Sequence, residues 1–289
     1  MKLKLSIIGC GRLGKTLAYL CAKTELVHIQ DVINLSIASA ERAVTFIGQG
    51  RVCPAIKQLK PVDVYLIATP DDSIEFIGQQ LADQALLVPG SLVFHCSGLL
   101  SSECLSSVAN LGCYTASLHP AFSFSEPEKD IKNFKGTRCA FEGNKLALQR
   151  LMLISTAIGG QLFSIKKEDK ALYHTASVLA SNYLVTLATI AEICYTKAGI
   201  TDKLSKTLTE ALMTQVLSKI QSLDKSRDAL TGPLQRGDKD TLKKHLEALK
   251  SFPDIEYIYR SLGKATLALT KHDESLKEVI AQLLIDDKV

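Results

Sequence analysis

Six histidines, His28, His95, His119, His174, His245 and His272, are the side chains whose ordinary pKa lets them give and take a proton near neutral pH. None stands in an H-x-x-x-H or H-E-x-x-H spacing, so the sequence offers no zinc site and no metal-assisted hydrolysis. No G-x-S-x-G elbow occurs either, and Cys96-Ser97 is the one nucleophile-like pair. His174 has company of a different kind. At about 100° per residue, Lys170, His174, Ser177 and Ser181 fall within about 60° on one helical face, with Asn182 at its edge. The remaining faces are mainly Ala, Leu, Val and Ile. Burying an unpaired polar group costs about 1–3 kcal/mol, so this stripe must meet water, another polar surface or a ligand. Its chemistry would be proton delivery by His174 or Lys170, with Asn182 and Ser181 holding a substrate. A satisfied interface histidine is the competing reading of His174.

A second constellation lies at the start. Gly9-Cys10-Gly11-Arg12-Leu13-Gly14 follows the apolar run Leu3–Ile8 and opens the helical pattern Leu13–Lys23. In that context Gly9 supplies a tight turn, Gly11 a close backbone approach to a pyrophosphate, and Gly14 helix packing, while the helix N-terminus offers N–H groups to phosphates. The expected ligand is a dinucleotide. After the second strand an acid would bind a ribose 2′-hydroxyl and repel a 2′-phosphate. Here the residues are Ile33-Asn34-Leu35-Ser36, with Asp31 too early. Asn34, Ser36 and Ser39, with Arg42 one turn into the next helix and Arg12 in the loop, would accept the phosphate, so NADP is expected over NAD.

Three further strand ends bring polar groups to the carboxyl edge of a sheet, where ligands of open α/β folds bind. They are Ala68-Thr69-Pro70-Asp71-Asp72, His95-Cys96-Ser97-Gly98 and Leu118-His119-Pro120. Ala68, Thr69, Pro70 and Ser97 are expected beside the cofactor and His119 beside the substrate. Asp72 or Ser73 reads first as a helix cap. Far along, Thr231-Gly232-Pro233-Leu234-Gln235-Arg236-Gly237-Asp238 joins a cation to a glycine-rich turn. Arg236 would grip a substrate carboxylate, or Asp238 or Asp240 would cap the next helix.

These residues need a scaffold. A βαβ unit spans Leu3–Leu35, and short apolar runs recur at Val62–Ala68, Ser91–His95, Tyr114–Leu118 and Cys139–Phe141. Between them stand helical or turn-rich stretches such as Ser73–Ala82 and Ser101–Asn110. This rhythm predicts a mostly parallel sheet with helices on both faces, an α/β dinucleotide-binding domain over residues 1–165. Beyond Ile165 only helical patterns remain: one long apolar helix over Lys170–Ala198 stopped by Gly199, then Lys203–Leu223, Lys239–Ser251, Ile255–Thr270 and Ser275–Ile285. Residues 166–289 therefore read as an all-α helical domain for substrate and dimerisation. The long helix needs cover on most sides, which a second copy would supply.

With 46% hydrophobic and 22% charged residues, the chain has the composition of a globular enzyme. Its net charge of +4 comes from scattered residues, which calls for neither nucleic acid nor membrane. Eight cysteines without a C-x-x-C pair fit reduced thiols in the cytoplasm. The N-terminal apolar run is too short for a signal peptide.

Gly9–Gly14, Ala68–Asp71, His95–Gly98, His119-Pro120, Tyr173-His174, Ser181-Asn182, Thr231-Gly232-Pro233 and Arg236-Gly237-Asp238 together resemble Rossmann-like proteins with a C-terminal domain of unknown function. These lie in the 6-phosphogluconate dehydrogenase-like superfamily. Relatives such as pyrroline-5-carboxylate reductase and ketopantoate reductase imply a Rossmann fold followed by a helical domain, and hydride transfer from NADPH to a C=N or C=O bond. The lysine and asparagine that hydroxyacid dehydrogenases of the superfamily place four residues apart are not paired here. An NADP-dependent oxidoreductase for a small anionic carbonyl or imine is the leading reading. A non-catalytic NADP-binding sensor or scaffold is the alternative, and it would bind the cofactor without turning it over.

Overall fold

A computed structural model describes residues 2–84 and 86–285. The chain divides into two compact units, Met1–Asn182 and Tyr183–Val289, a later boundary than the one near Ile165 that the sequence predicts. The helix bearing Lys170 and His174 goes with the sheet, where Lys170 bonds Ser97 and Ser117 and Tyr173 bonds His119.

In the first unit, chain order runs β1 (Leu3–Ile8), α1 (Arg12–Ala22), β2 (Val27–Ile33), α2 (Ile37–Ile47), β3 (Arg51–Val52), β4 (Val64–Ile67), α3 (Asp71–Asp83) and β5 (Leu92–His95). There follow α4 (Ser106–Ala109), β6 (Tyr114–Pro120), α5 (Pro127–Asn133), β7 (Arg138–Gly143), α6 (Lys145–Ala157), β8 (Gln161–Ser164) and α7 (Lys170–Ala180). The sheet order is β3-β2-β1-β4-β5-β6-β7-β8. Every pairing is parallel except β6 with β7. Parallel strands are covered on both faces, which is why β4 (Val-Tyr-Leu-Ile) and β5 (Leu-Val-Phe-His) are unbroken runs, buried throughout. One core gathers Ile7, Leu66, Phe94, Leu118 and Leu151, the other Ile8, Tyr65, Ile67, Val93 and Leu105. Successive strands leave β1 in opposite directions, toward β2 and toward β4, and that divergence opens a crevice at their carboxyl ends.

The expected single helix over Lys170–Ala198 is two. Ser181, at φ −125° and ψ −69°, separates α7 from α8 (Asn182–Lys197). Its hydroxyl donates to the Ser177 carbonyl and its N–H reaches back only to Val178, so side-chain bonding displaces the helical ladder. By length and composition alone Lys167–Lys197 is long and apolar enough to cross a membrane. Lys170, 2% exposed, is nevertheless bonded to the sheet.

The second unit continues with α9 (Asp202–Ser222), α10 (Pro233–Arg236), α11 (Lys239–Leu249), α12 (Pro253–Leu267) and α13 (Glu274–Leu283). Leu242, Leu267, Ile280 and Leu284 form its small core. α8 buries no residue at all and leaves Tyr183, Val185 and Ile193 exposed.

Candidate functional site

The glycine loop is shaped by what stands against it. Gly9 has φ +88°, and a Cβ there would meet Thr69 Cγ2 at 2.6 Å and the Thr69 backbone nitrogen at 2.7 Å. A Cβ on Gly14 would lie 2.8 Å from the Gly9 carbonyl oxygen. Gly11 differs: nothing lies within 4 Å of its absent Cβ, so protein packing does not demand glycine there. That opening stands over the start of α1, whose first N–H groups have no side-chain cap and face outward with the positive end of the helix dipole.

A cavity of about 740 Å³ occupies the crevice, with Gly9, Gly11, Asn34, Ala68, Thr69 and Pro70 in its wall. Thr69 Oγ1 is buried with no hydrogen-bond partner among the described residues. An orphaned hydroxyl, an open space over Gly11 and uncapped helical N–H groups fit a dinucleotide pyrophosphate. Asn34 serves the loop itself: Oδ1 accepts the Cys10 N–H at 2.6 Å, and Nδ2 donates to Ser39 Oγ at 2.9 Å and to the Cys10 carbonyl at 3.4 Å. Ser36 caps α2, its oxygen accepting from the Ser39 N–H. Burial pushes the Cys10 thiol up to about 12, so it is no nucleophile. Arg12, Leu13 and Arg42 stand outside the cavity wall.

Beside the crevice, the ends of β5 and β6 meet α7 in a polar cluster. Lys170 Nζ donates to the Ser97 carbonyl at 3.0 Å and to Ser117 Oγ at 2.6 Å. Burial holds its pKa below the ordinary lysine value. Ser97 Oγ donates to Asp71 Oδ2 at 2.6 Å and accepts the N–H groups of Leu99 and Leu100, fixing the turn through Gly98. That turn needs glycine: a methyl group would overlap His174 Nδ1 and stand 3.0 Å from His119 Nε2.

The two imidazoles meet at 90° with centroids 5.7 Å apart. His119 Nδ1 lies 2.9 Å from the Tyr173 hydroxyl. His174 Nδ1 is buried without a partner among the described residues. Burial, reinforced by His174 and Lys170, pushes His119 down to about 4, so it is neutral at neutral pH. His95 is likewise pushed down to about 4, chiefly by burial. Its Nδ1 accepts the Ser97 N–H and its Nε2 faces the Ser101 carbonyl, a satisfied core histidine.

Several expectations change here. The stripe dissolves beyond His174, because Ser177 and Ser181 donate to carbonyls one turn back. Asn182 is exposed at the start of α8, its Oδ1 2.9 Å from Ser181 Oγ. The Asp72 or Ser73 cap is not formed: α3 begins at Asp71 behind Pro70, without a side-chain cap. Asp71 instead binds Ser97, a contact invisible in local sequence. In the second unit Asp238 caps α11 through the Thr241 N–H, and Arg236 lies 3.7 Å from its carboxylate. Ser117 and Glu142 escaped sequence reasoning. Glu142, buried on β7, accepts from Ser102 N and Oγ. Among the described residues no His, Cys, Asp and Glu group could hold a metal.

Residues 1–120 match the model of a Rossmann-like domain, and residues 137–266 that of a domain of unknown function, DUF2520. The chain is a Rossmann-like protein with a DUF2520 domain. No curated protein sequence matches it. A solved structure from Thermotoga maritima is similar at 28% identity and TM-score 0.71, over 92% of this chain and 98% of that one. A Bacteroides fragilis protein, described as a candidate NADP oxidoreductase, is similar at 17% identity and TM-score 0.75 over the same shares. Pyrroline carboxylate reductase of Plasmodium falciparum with NADP bound shares the fold at 14% identity and TM-score 0.59, covering 98% of each chain. The DUF2520 match begins just before β7 and includes α7 with His174, while His119 on β6 falls within the Rossmann-like match.

Proposed function

We propose that this protein is an NADP-dependent oxidoreductase that reduces the C=O or C=N bond of a small anionic substrate. The observation that carries the reading is the crevice itself. Its open glycine cradle and orphaned Thr69 hydroxyl lead, through the Asp71–Ser97 bond, directly to the turn at Gly98 and the paired imidazoles. The Plasmodium relative with this fold binds NADP. When bound, the nicotinamide supplies the hydride.

The chain's own residues do the rest. Gly9, Gly11 and the α1 N-terminus hold the pyrophosphate, and Ala68, Thr69 and Pro70 line the way to the reacting end. His174 gives the proton that accompanies hydride addition, since the residue is only half-buried and stands against the Gly98 turn. Tyr173 holds His119 at Nδ1, and His119, kept neutral by burial, adds no competing positive charge beside His174. Lys170 is enclosed by Ser97 and Ser117, so it positions α7 and leaves proton delivery to His174.

The exposed apolar side chains of α8 and α9, among them Val185, Ile193, Leu212 and Val216, favour a homodimer. Free cysteines throughout favour a reducing cytoplasm. The test is to follow NADPH oxidation by the purified protein over a panel of small keto and imino acids. Turnover that falls at least about 100-fold in His174→Ala supports the assignment. Undiminished turnover removes His174 from the chemistry, and cofactor binding without turnover on any substrate favours a sensor.

A further inference from the structure

The wall of the 740 Å³ cavity is lopsided in charge. Among its lining residues Lys57 alone is ionised, and no carboxylate is present. Lys57 sits in the 3-10 turn Ile56–Gln58, between β3 and β4, with its side chain exposed. Its ammonium takes part in no ion pair or hydrogen bond among the described residues. Asn34, Leu35 and Ser39 line the same cavity from the end of β2 and the start of α2.

The groups that could compete for this role are committed or elsewhere. Asp31, the acid of β2, is fully buried, accepting from Arg51 Nε at 2.7 Å and from the Lys60 N–H at 2.9 Å, and so cannot reach a ribose hydroxyl. Both ends of the Asn34 amide are spent on Cys10 and Ser39. Ser39 Oγ accepts from Asn34, which leaves its own proton free to donate. Arg12 and Arg42 are outside the wall.

We propose that Lys57, with the Ser39 hydroxyl, holds the 2′-phosphate of NADP and sets the preference for the phosphorylated coenzyme. The proposal rests on the dinucleotide reading of the crevice. An ammonium and a hydroxyl facing a dianionic phosphate give charge-assisted bonds that the unphosphorylated ribose cannot make, and no carboxylate in the wall opposes them. Lys57 thus does from the β3–β4 connection what the residues right after β2 were expected to do.

Calorimetric titration of the intact protein with NADPH, NADH, 2′,5′-ADP and 5′-AMP tests this. Lys57→Ala should weaken NADPH and 2′,5′-ADP by about tenfold or more, leave NADH and 5′-AMP within about twofold, and be rescued by Lys57→Arg. Arg42→Ala should change none of them. NADPH bound equally well by wild type and Lys57→Ala, or NADH weakened as much as NADPH, overturns the role of Lys57 and leaves the dinucleotide site standing. A wild-type protein that binds neither coenzyme overturns the dinucleotide reading and this proposal with it.

Discussion

The glycine crevice and the α7 cluster adjoin one another and are built on opposite principles. In the crevice, backbone does the work: close approaches at Gly9 and Gly14, open space over Gly11, uncapped helical N–H groups, and a single charge in the wall. In the cluster, side chains from β5, β6 and α7 hold each other, and charge is enclosed: Lys170 against Ser97 and Ser117, with Glu142 buried nearby against Ser102. A backbone site is encoded in a few consecutive residues, closed to added atoms at Gly9 and Gly14 and open over Gly11. A side-chain network is spread over the chain and is sensitive to charge and protonation.

The sharpest break between the two comes from adding atoms. Gly11→Asp puts a carboxylate into the open space and should weaken NADPH binding by about 100-fold or more, with urea unfolding little changed, because no protein atom is displaced. Gly98→Ala behaves in the opposite way. The methyl overlaps His174, so the variant should lose about 1–3 kcal/mol in urea unfolding, and NADPH should still bind. If both variants lose stability alike, the distinction between an open cradle and a packed turn is wrong.

Next in size is the enclosed cation. Lys170→Met removes the donor to the Ser97 carbonyl and Ser117 Oγ, and the expected loss is about 1–3 kcal/mol. A Lys170→Met protein as stable as wild type would mean that the desolvation cost of the ammonium cancels its bonds.

Protonation gives the smallest and most graded effect. His95 and His119 are both pushed from about 6.5 down to about 4 in the folded state, so the unfolded chain binds more protons between those values. Stability is therefore fully present above pH ~6.5 and falls as pH drops through that window toward 4. His95→Asn should flatten the slope if the mutant folds, and proton-resolved NMR titration of His119 in wild type provides a second reading. A histidine signal titrating near 6.5 at either position contradicts the burial argument.

The same contrast explains what could be read from sequence. Leu3–Ile8, the glycine loop and the runs that became β4, β5 and β6 are local patterns and were legible to within a residue or two. β3 and β8 were not, because Arg51–Val52 is only two residues long and Gln161–Ser164 is mostly exposed, so neither shows a hydrophobic run. His174 and Lys170 were found through helical spacing. Tyr173 falls off that stripe, and its pairing with His119 spans 54 residues. The break at Ser181 depends on a hydroxyl choosing a carbonyl over water, which hydrophobic periodicity does not register. The local capping rule points to Asp72, whereas the residue with the long-range role is Asp71, whose partner Ser97 lies on the next strand end.

The central claim, that the crevice is a dinucleotide site, is tested most directly by calorimetric titration of wild type and Gly11→Asp with NADPH, NADP, NADH and NAD. The account predicts saturable one-to-one binding of the phosphorylated pair to wild type, lost in the variant. Absence of binding by all four, or equal binding by the variant, would contradict it.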